Sequence, residues 1–150
     1  MSLQSEYQDT DALVADLSAA VLDLVDDGVA TPLVLIDGRA GSGKSTLADA
    51  LQRRLFKDGE TLPRLIHMDD LYNGWNDGLG QSLTDTLQTI TAAYLSGNQC
   101  TVKVFNWHLM NFDREEVIVP TDYLILEGVG AAQKVVRDAG AITYWLDIDA

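Results

Sequence analysis

Cysteine occurs once in these 150 residues, at Cys100, so the chain can form no internal disulfide and offers no pair of thiols to a zinc ion. Its neighbours Thr101, Val102, Val104 and Phe105 read as a buried strand, which makes Cys100 a small packing residue and not a nucleophile. Positive charge is also scarce: 10 Lys and Arg stand against 23 Asp and Glu, a net charge of −13. That balance excludes nucleic acid and anionic membrane surfaces as expected partners, because both select a basic face. No apolar run approaches the roughly 18 residues of a membrane span, and the N-terminus lacks the charged-then-apolar pattern of a secretory signal. A cytoplasmic location is the expectation.

What is present is a length suited to one domain and an ordinary 47% of hydrophobic residues. Residues 1–150 read as a single unit, with an N-terminal helix in 1–30 and a core in 31–150. Leu13, Val14, Leu17, Val21, Leu24 and Val25 form one stripe at helical period, stopped near Gly28. Strands are expected at Leu33 to Ile36, Arg64 to Met68, Thr101 to Phe105, Tyr123 to Leu126 and Ile142 to Leu146. Helices are expected from Lys44 to about Lys57, from Ser82 or Thr84 to about Leu95, and near Ala131 to Asp138. Strands that alternate with helices predict a parallel sheet, here five-stranded, covered on both faces in three α/β/α layers.

Between the first strand and the second helix lies Gly38-Arg39-Ala40-Gly41-Ser42-Gly43-Lys44-Ser45, a full match to the phosphate-binding pattern G-x-x-x-x-G-K-[ST], followed by Thr46. The spelling has a chemical reason. Glycines free of Cβ let successive backbone N–H groups turn inward around a phosphate, and the loop feeds a helix start whose unpaired amides favour an anion. Lys44 is placed to reach the β- and γ-phosphates and the Ser45 hydroxyl to meet Mg²⁺. ATP and Mg²⁺ are therefore the expected cofactors. In a parallel sheet the reacting groups gather where strands end, which singles out Asp69 and Asp70 after the second strand and Glu127 with Gly128 after Tyr123 to Leu126. Other residues have blander readings: His67 and His108 as packed or solvated, Trp107 and Trp145 as core, and Asp113-Arg114-Glu115-Glu116 as a charged surface segment.

Ile36 through Thr46, then His67-Met68-Asp69-Asp70-Leu71-Tyr72, then Leu124-Ile125-Leu126-Glu127-Gly128, resemble the uridine kinase group of P-loop kinases. The resemblance implies Asp69 as the base for an acceptor hydroxyl, with Asp70 as runner-up, and Glu127 beside Ser45 on the metal. Phe105-Asn106-Trp107 sits where that group often carries an aromatic-Asp-aromatic element touching the nucleoside; Asn106 departs from the carboxylate. Tyr72 and Trp75 are further candidates for the acceptor pocket. Members of the group continue past the last strand into an arginine-bearing lid, whereas this sequence stops at Ala150, so a fragment of a longer protein is the expectation. The implied activity is transfer of the γ-phosphoryl group of ATP to a small-molecule hydroxyl, a nucleoside foremost. A kinase of another small alcohol, and a nucleotide-binding module without efficient transfer, stay open, as does a homo-oligomer.

Overall fold

The computed structural model describes residues 2–4, 10–38, 43–59, 62–72, 81–138 and 142–146. In chain order the elements are β1 (Ser2–Gln4), α1 (Thr10–Asp26), β2 (Leu33–Gly38), α2 (Lys44–Gly59), β3 (Arg64–His67), a 3-10 turn (Met68–Asp70), α3 (Gln81–Ser96), β4 (Cys100–Asn106), β5 (Asn111–Ile118), β6 (Leu124–Glu127), α4 (Lys134–Arg137) and β7 (Ile142–Leu146). The main sheet runs β1-β7-β2-β6-β3, every neighbouring pair parallel.

β2 is apolar from Leu33 to Ile36 because it is buried on both faces. Its alternate side chains enter two different cores. Leu33 and Leu35, with Leu124 and Leu126 of β6, pack against Leu83, Leu87 and Ile90 of α3. Val34 and Ile36, with Ile125 and Tyr144, pack against Leu13, Leu17 and Val21 of α1 and Leu47, Leu51 and Leu55 of α2. The period of two along the strands thus meets the period of 3.6 along the helices on each side, and the three layers follow. α1 stops where the sequence indicates: Gly28, at φ 96°, allows its own N–H to bond Val25 O and that of Val29 to bond Leu24 O.

Four of the five expected strands, β2, β3, β6 and β7, make the parallel core. The fifth, Thr101 to Phe105, is not in it. That segment is β4 and pairs antiparallel with β5 as a separate hairpin. The reason is in its alternation: Val102 and Val104 are buried while Thr101 and Lys103 are exposed, a one-faced pattern that does not suit a sheet covered on both sides. β5 was not anticipated, because its run of charges places Asp113, Arg114 and Glu115 in solvent and buries only its end, Ile118. β1 was not anticipated either; three residues add a short strand at the β7 edge, preceding the expected N-terminal helix.

Two smaller expectations are also corrected. The helix near Ala131 to Asp138 shrinks to Lys134–Arg137. The N–H groups of Gly130 and Ala132 are drawn to the Asp37 carboxylate instead of a helical ladder. Trp145 is 40% exposed, not core. Among the described residues no helix is long and apolar enough to cross a membrane.

Candidate nucleotide-binding site

Strand register brings the site together. β6 lies between β2 and β3, so Glu127 at its end is opposite Ile36 on one side and His67 on the other. The segment that follows β2 turns into α2, and the first helical bond of α2 runs from Leu47 N–H to Gly43 O. The amides of Lys44, Ser45 and Thr46 therefore lie in the helix's first turn, ahead of that bond, where a helix offers N–H groups and a positive dipole end to an anion. Lys44 is 7% exposed, while Ser45 and Thr46 face solvent. Arg39, Ala40, Gly41 and Ser42 lie outside the described residues, as does Trp75.

Glu127 is 3% exposed, and its Oε1 is the hub. The Ser45 hydroxyl donates to it at 3.1 Å, and His67 Nδ1 stands 2.5 Å away. On the other side of the ring, Nε2 is 3.9 Å from Asp49 Oδ1 on α2. A serine hydroxyl that gives its proton to a carboxylate keeps its lone pairs for a cation. The donor set is two hard oxygen groups on adjacent elements, and no group of three or more His, Cys, Asp or Glu suited to a metal occurs among the described residues. Such a sparse set fits Mg²⁺, which keeps most of its waters and takes the rest of its ligands from substrate phosphates. Ser45 and Glu127 are the residues that would hold such a cation, and it would supply neutralisation of phosphate charge.

The glycine after Glu127 has a packing reason. Gly128 sits at φ 139°, its N–H bonds Ile36 O, and a Cβ there would lie 2.5 Å from Met68 Cβ. Met68 opens the 3-10 turn that carries Asp69 and Asp70. The missing side chain is what lets the acidic turn close against the end of β6.

Asp37, at the end of β2, is a buried acid whose role the sequence reading did not assign. Its Oδ1 accepts from Gly38 N–H at 2.7 Å and Gly130 N–H at 3.1 Å, and its Oδ2 from Ala132 N–H at 2.9 Å. One carboxylate thus ties the entry of the phosphate loop to the loop after β6. The sequence carried a signal for this, an acid closing an apolar strand just before a glycine loop, but its three partners lie up to 95 residues away.

The expected acceptor residues divide into two groups. Asp69 is exposed and Asp70 partly so, both on the 3-10 turn that follows β3. The Trp107 indole donates to Asp69 O at 2.9 Å, so the β4–β5 hairpin leans on the acidic turn. Tyr72 is buried and its hydroxyl donates to Val129 O. Burial pushes its phenol well above the usual range, and the charges of Asp69, Asp37 and Glu127 push further the same way, so it stays protonated. Phe105 is 4% exposed and meets Trp107 and Phe112 edge-on, at centroid distances of 4.9 and 5.2 Å. Asn106 is engaged at both ends: Oδ1 accepts the N–H groups of His108 and Leu109, and Nδ2 donates to Asp113 Oδ2 at 2.7 Å. Its carboxamide builds the hairpin turn, a task that needs both a donor and an acceptor. His67, read as packed or solvated, is half-buried with its ring against Glu127.

Comparison with solved structures agrees with this architecture. The chain superposes on a possible uridine kinase from Bacillus stearothermophilus with TM-score 0.69 and 20% identity, covering 87% of this chain and 78% of that one. A candidate fructose transport system kinase from Silicibacter sp. TM1040 follows at 0.63 and 20%, covering 87% and 73%. The fold is the one that these two solved structures share. Residues 30–97 match the adenylylsulphate kinase family model, which is under half of the chain. The adenylyl-sulfate kinase of Bacteroides thetaiotaomicron is 43% identical over 58 residues, and that of Phocaeicola vulgatus 41% over the same length. Each match spans 39% of this chain but only 28% of the relative. The family match ends at residue 97, before the β4–β5 hairpin begins.

Proposed function

We propose that this protein is an ATP-dependent kinase that moves the γ-phosphoryl group to a hydroxyl of a small molecule, with a nucleoside as the leading acceptor. The observation that carries the reading is the contact of Ser45 with Glu127 at the start of α2, beside a buried Lys44. The phosphate loop pattern and its strand-loop-helix setting support ATP, and the paired oxygens support Mg²⁺. Asp69 is the proposed base, exposed on the turn that Gly128 admits; Asp70 is its competitor. Catalysis rests mainly on positioning and charge neutralisation.

The acceptor is argued from the site and not from the relatives' names. Asp69 is exposed and Asp70 partly so on one turn, and their negative charge opposes a sulfate or phosphate ester while tolerating a neutral polyol. The adenylylsulphate kinase match favours a second reading, with an adenylyl ester as acceptor. Mg·ATP-dependent ADP release measured against uridine, cytidine, a hexose and adenylyl sulfate separates the two. Release with uridine or cytidine that is lost in Asp69→Asn supports the proposal. Release with adenylyl sulfate alone refutes the nucleoside reading, and loss in Asp70→Asn with Asp69→Asn active reassigns the base. If no acceptor is consumed while ATP still binds, transfer itself is refuted.

A further inference from the structure

His67 contributes a ring nitrogen to the same oxygen that holds the Ser45 hydroxyl, and nothing in the phosphate-loop chemistry calls for it. Its Nδ1 lies 2.5 Å from Glu127 Oε1 and its Nε2 3.9 Å from Asp49 Oδ1. The ring therefore spans three elements: β3, which carries it, β6 and α2. It is half-buried, whereas Glu127 is 3% exposed and cannot turn to water for hydrogen bonds. With Oε1 engaged twice, the carboxylate plane is fixed.

We infer that His67 is a positioning residue for the metal: by donating Nδ1–H to Oε1 of Glu127 it holds the other carboxylate oxygen, and with it the Ser45 hydroxyl, toward the cation of the bound nucleotide. The inference rests on the kinase reading above and adds a residue to it. Partners of this kind, which touch a ligand and not the metal, typically govern 10- to 100-fold of metal affinity. Asp49 would keep the ring upright from the far side, at a distance too long for a hydrogen bond but short enough for attraction when the ring is charged. The donation itself does not require a charged ring, since one neutral tautomer also carries its proton on Nδ1.

The test compares wild type with His67→Leu, which fills the space without a donor, and His67→Asn, whose amide nitrogen takes the place of Nδ1. ATP affinity is measured calorimetrically with and without Mg²⁺, and thermal melting checks that each variant folds. The expected result is that Mg²⁺-dependent gain in ATP affinity falls about tenfold in His67→Leu and stays within about twofold of wild type in His67→Asn. Metal-free ATP binding should be alike in all three. A full Mg²⁺ gain in His67→Leu overturns the inference, and so does an equal loss in both variants, because a lost donor would then not be the cause. A wild type that shows no Mg²⁺-dependent gain defeats the kinase reading, a failure visible before any variant is compared.

Discussion

Replacing Gly128 by Ala should cost this protein a large part of its stability, for two separable reasons. A Cβ at that position would lie 2.5 Å from Met68 Cβ and 2.8 Å from Met68 Cγ, with the Tyr72 hydroxyl at 3.3 Å. The first contact is backbone-fixed, since no rotation of Met68 moves its Cβ. Relief requires separating β6 from the turn that carries Asp69 and Asp70, an overpacking strain of about 1–3 kcal/mol. The backbone at φ 139° adds about 1–3 kcal/mol for any residue with a side chain. Together these come to about 2–6 kcal/mol, against a total of about 5–15 kcal/mol for a domain of ordinary stability. Urea unfolding followed by circular dichroism would read this as a fall in midpoint of about 1 M or more at unchanged slope. Adding Met68→Ala should recover only a minor share, because it removes Cγ and keeps Cβ. A Gly128→Ala loss below about 0.5 kcal/mol would refute the close approach and, with it, the account of why a glycine follows Glu127.

Three further outcomes are expected. Lys44→Ala should weaken ATP binding about 10- to 100-fold by calorimetry, the worth of a charge-assisted contact, with little change in melting temperature. Asp37→Asn should lower stability by about 1–3 kcal/mol in thermal or urea melts, because an amide nitrogen in place of one oxygen cannot accept from Gly130 or Ala132 N–H. Raising the pH should leave stability level up to about 8.5, the ordinary thiol pKa, and lower it beyond, first through the partly buried Cys100 thiol and above about 10 through the phenols. Burial lifts the phenols of Tyr72, Tyr94 and Tyr123, so each holds its proton more tightly folded than unfolded, and that stabilisation is whole below about 10 and declines above it. Melting temperature against pH checks this, and Tyr94→Phe should shallow the alkaline decline while costing the bond to Pro32 O.

The strand β2 and the helix α2 on either side of the glycine segment were legible in the sequence because what specifies them is local: an apolar run and an amphipathic stripe. The same holds for the strands β3 and β6, whose ends fall within a residue of where their apolar runs stop. Asn106 shows the limit. The resemblance implied an acceptor contact for it, and the structure adds what the sequence did not show, that its carboxamide is engaged in the turn from β4 to β5. Asp113, which accepts its hydrogen bond, lies in a segment whose charges hid a strand.

Tertiary structure decided what no window along the chain could carry. Whether Thr101 to Phe105 joins the sheet or leaves it depends on which faces other elements cover, and β6 takes the place beside β2 and β3 that would otherwise be open. His67 and Glu127 are 60 residues apart and meet only because parallel register sets them side by side. Asp37 finds its backbone donors at a separation of up to 95 residues. The phosphate loop is a local object, written in consecutive residues. The groups arranged around it are not, because hydrogen bonding and burial act through space, and only the sheet order brings the ends of β2, β6 and β3 to one edge.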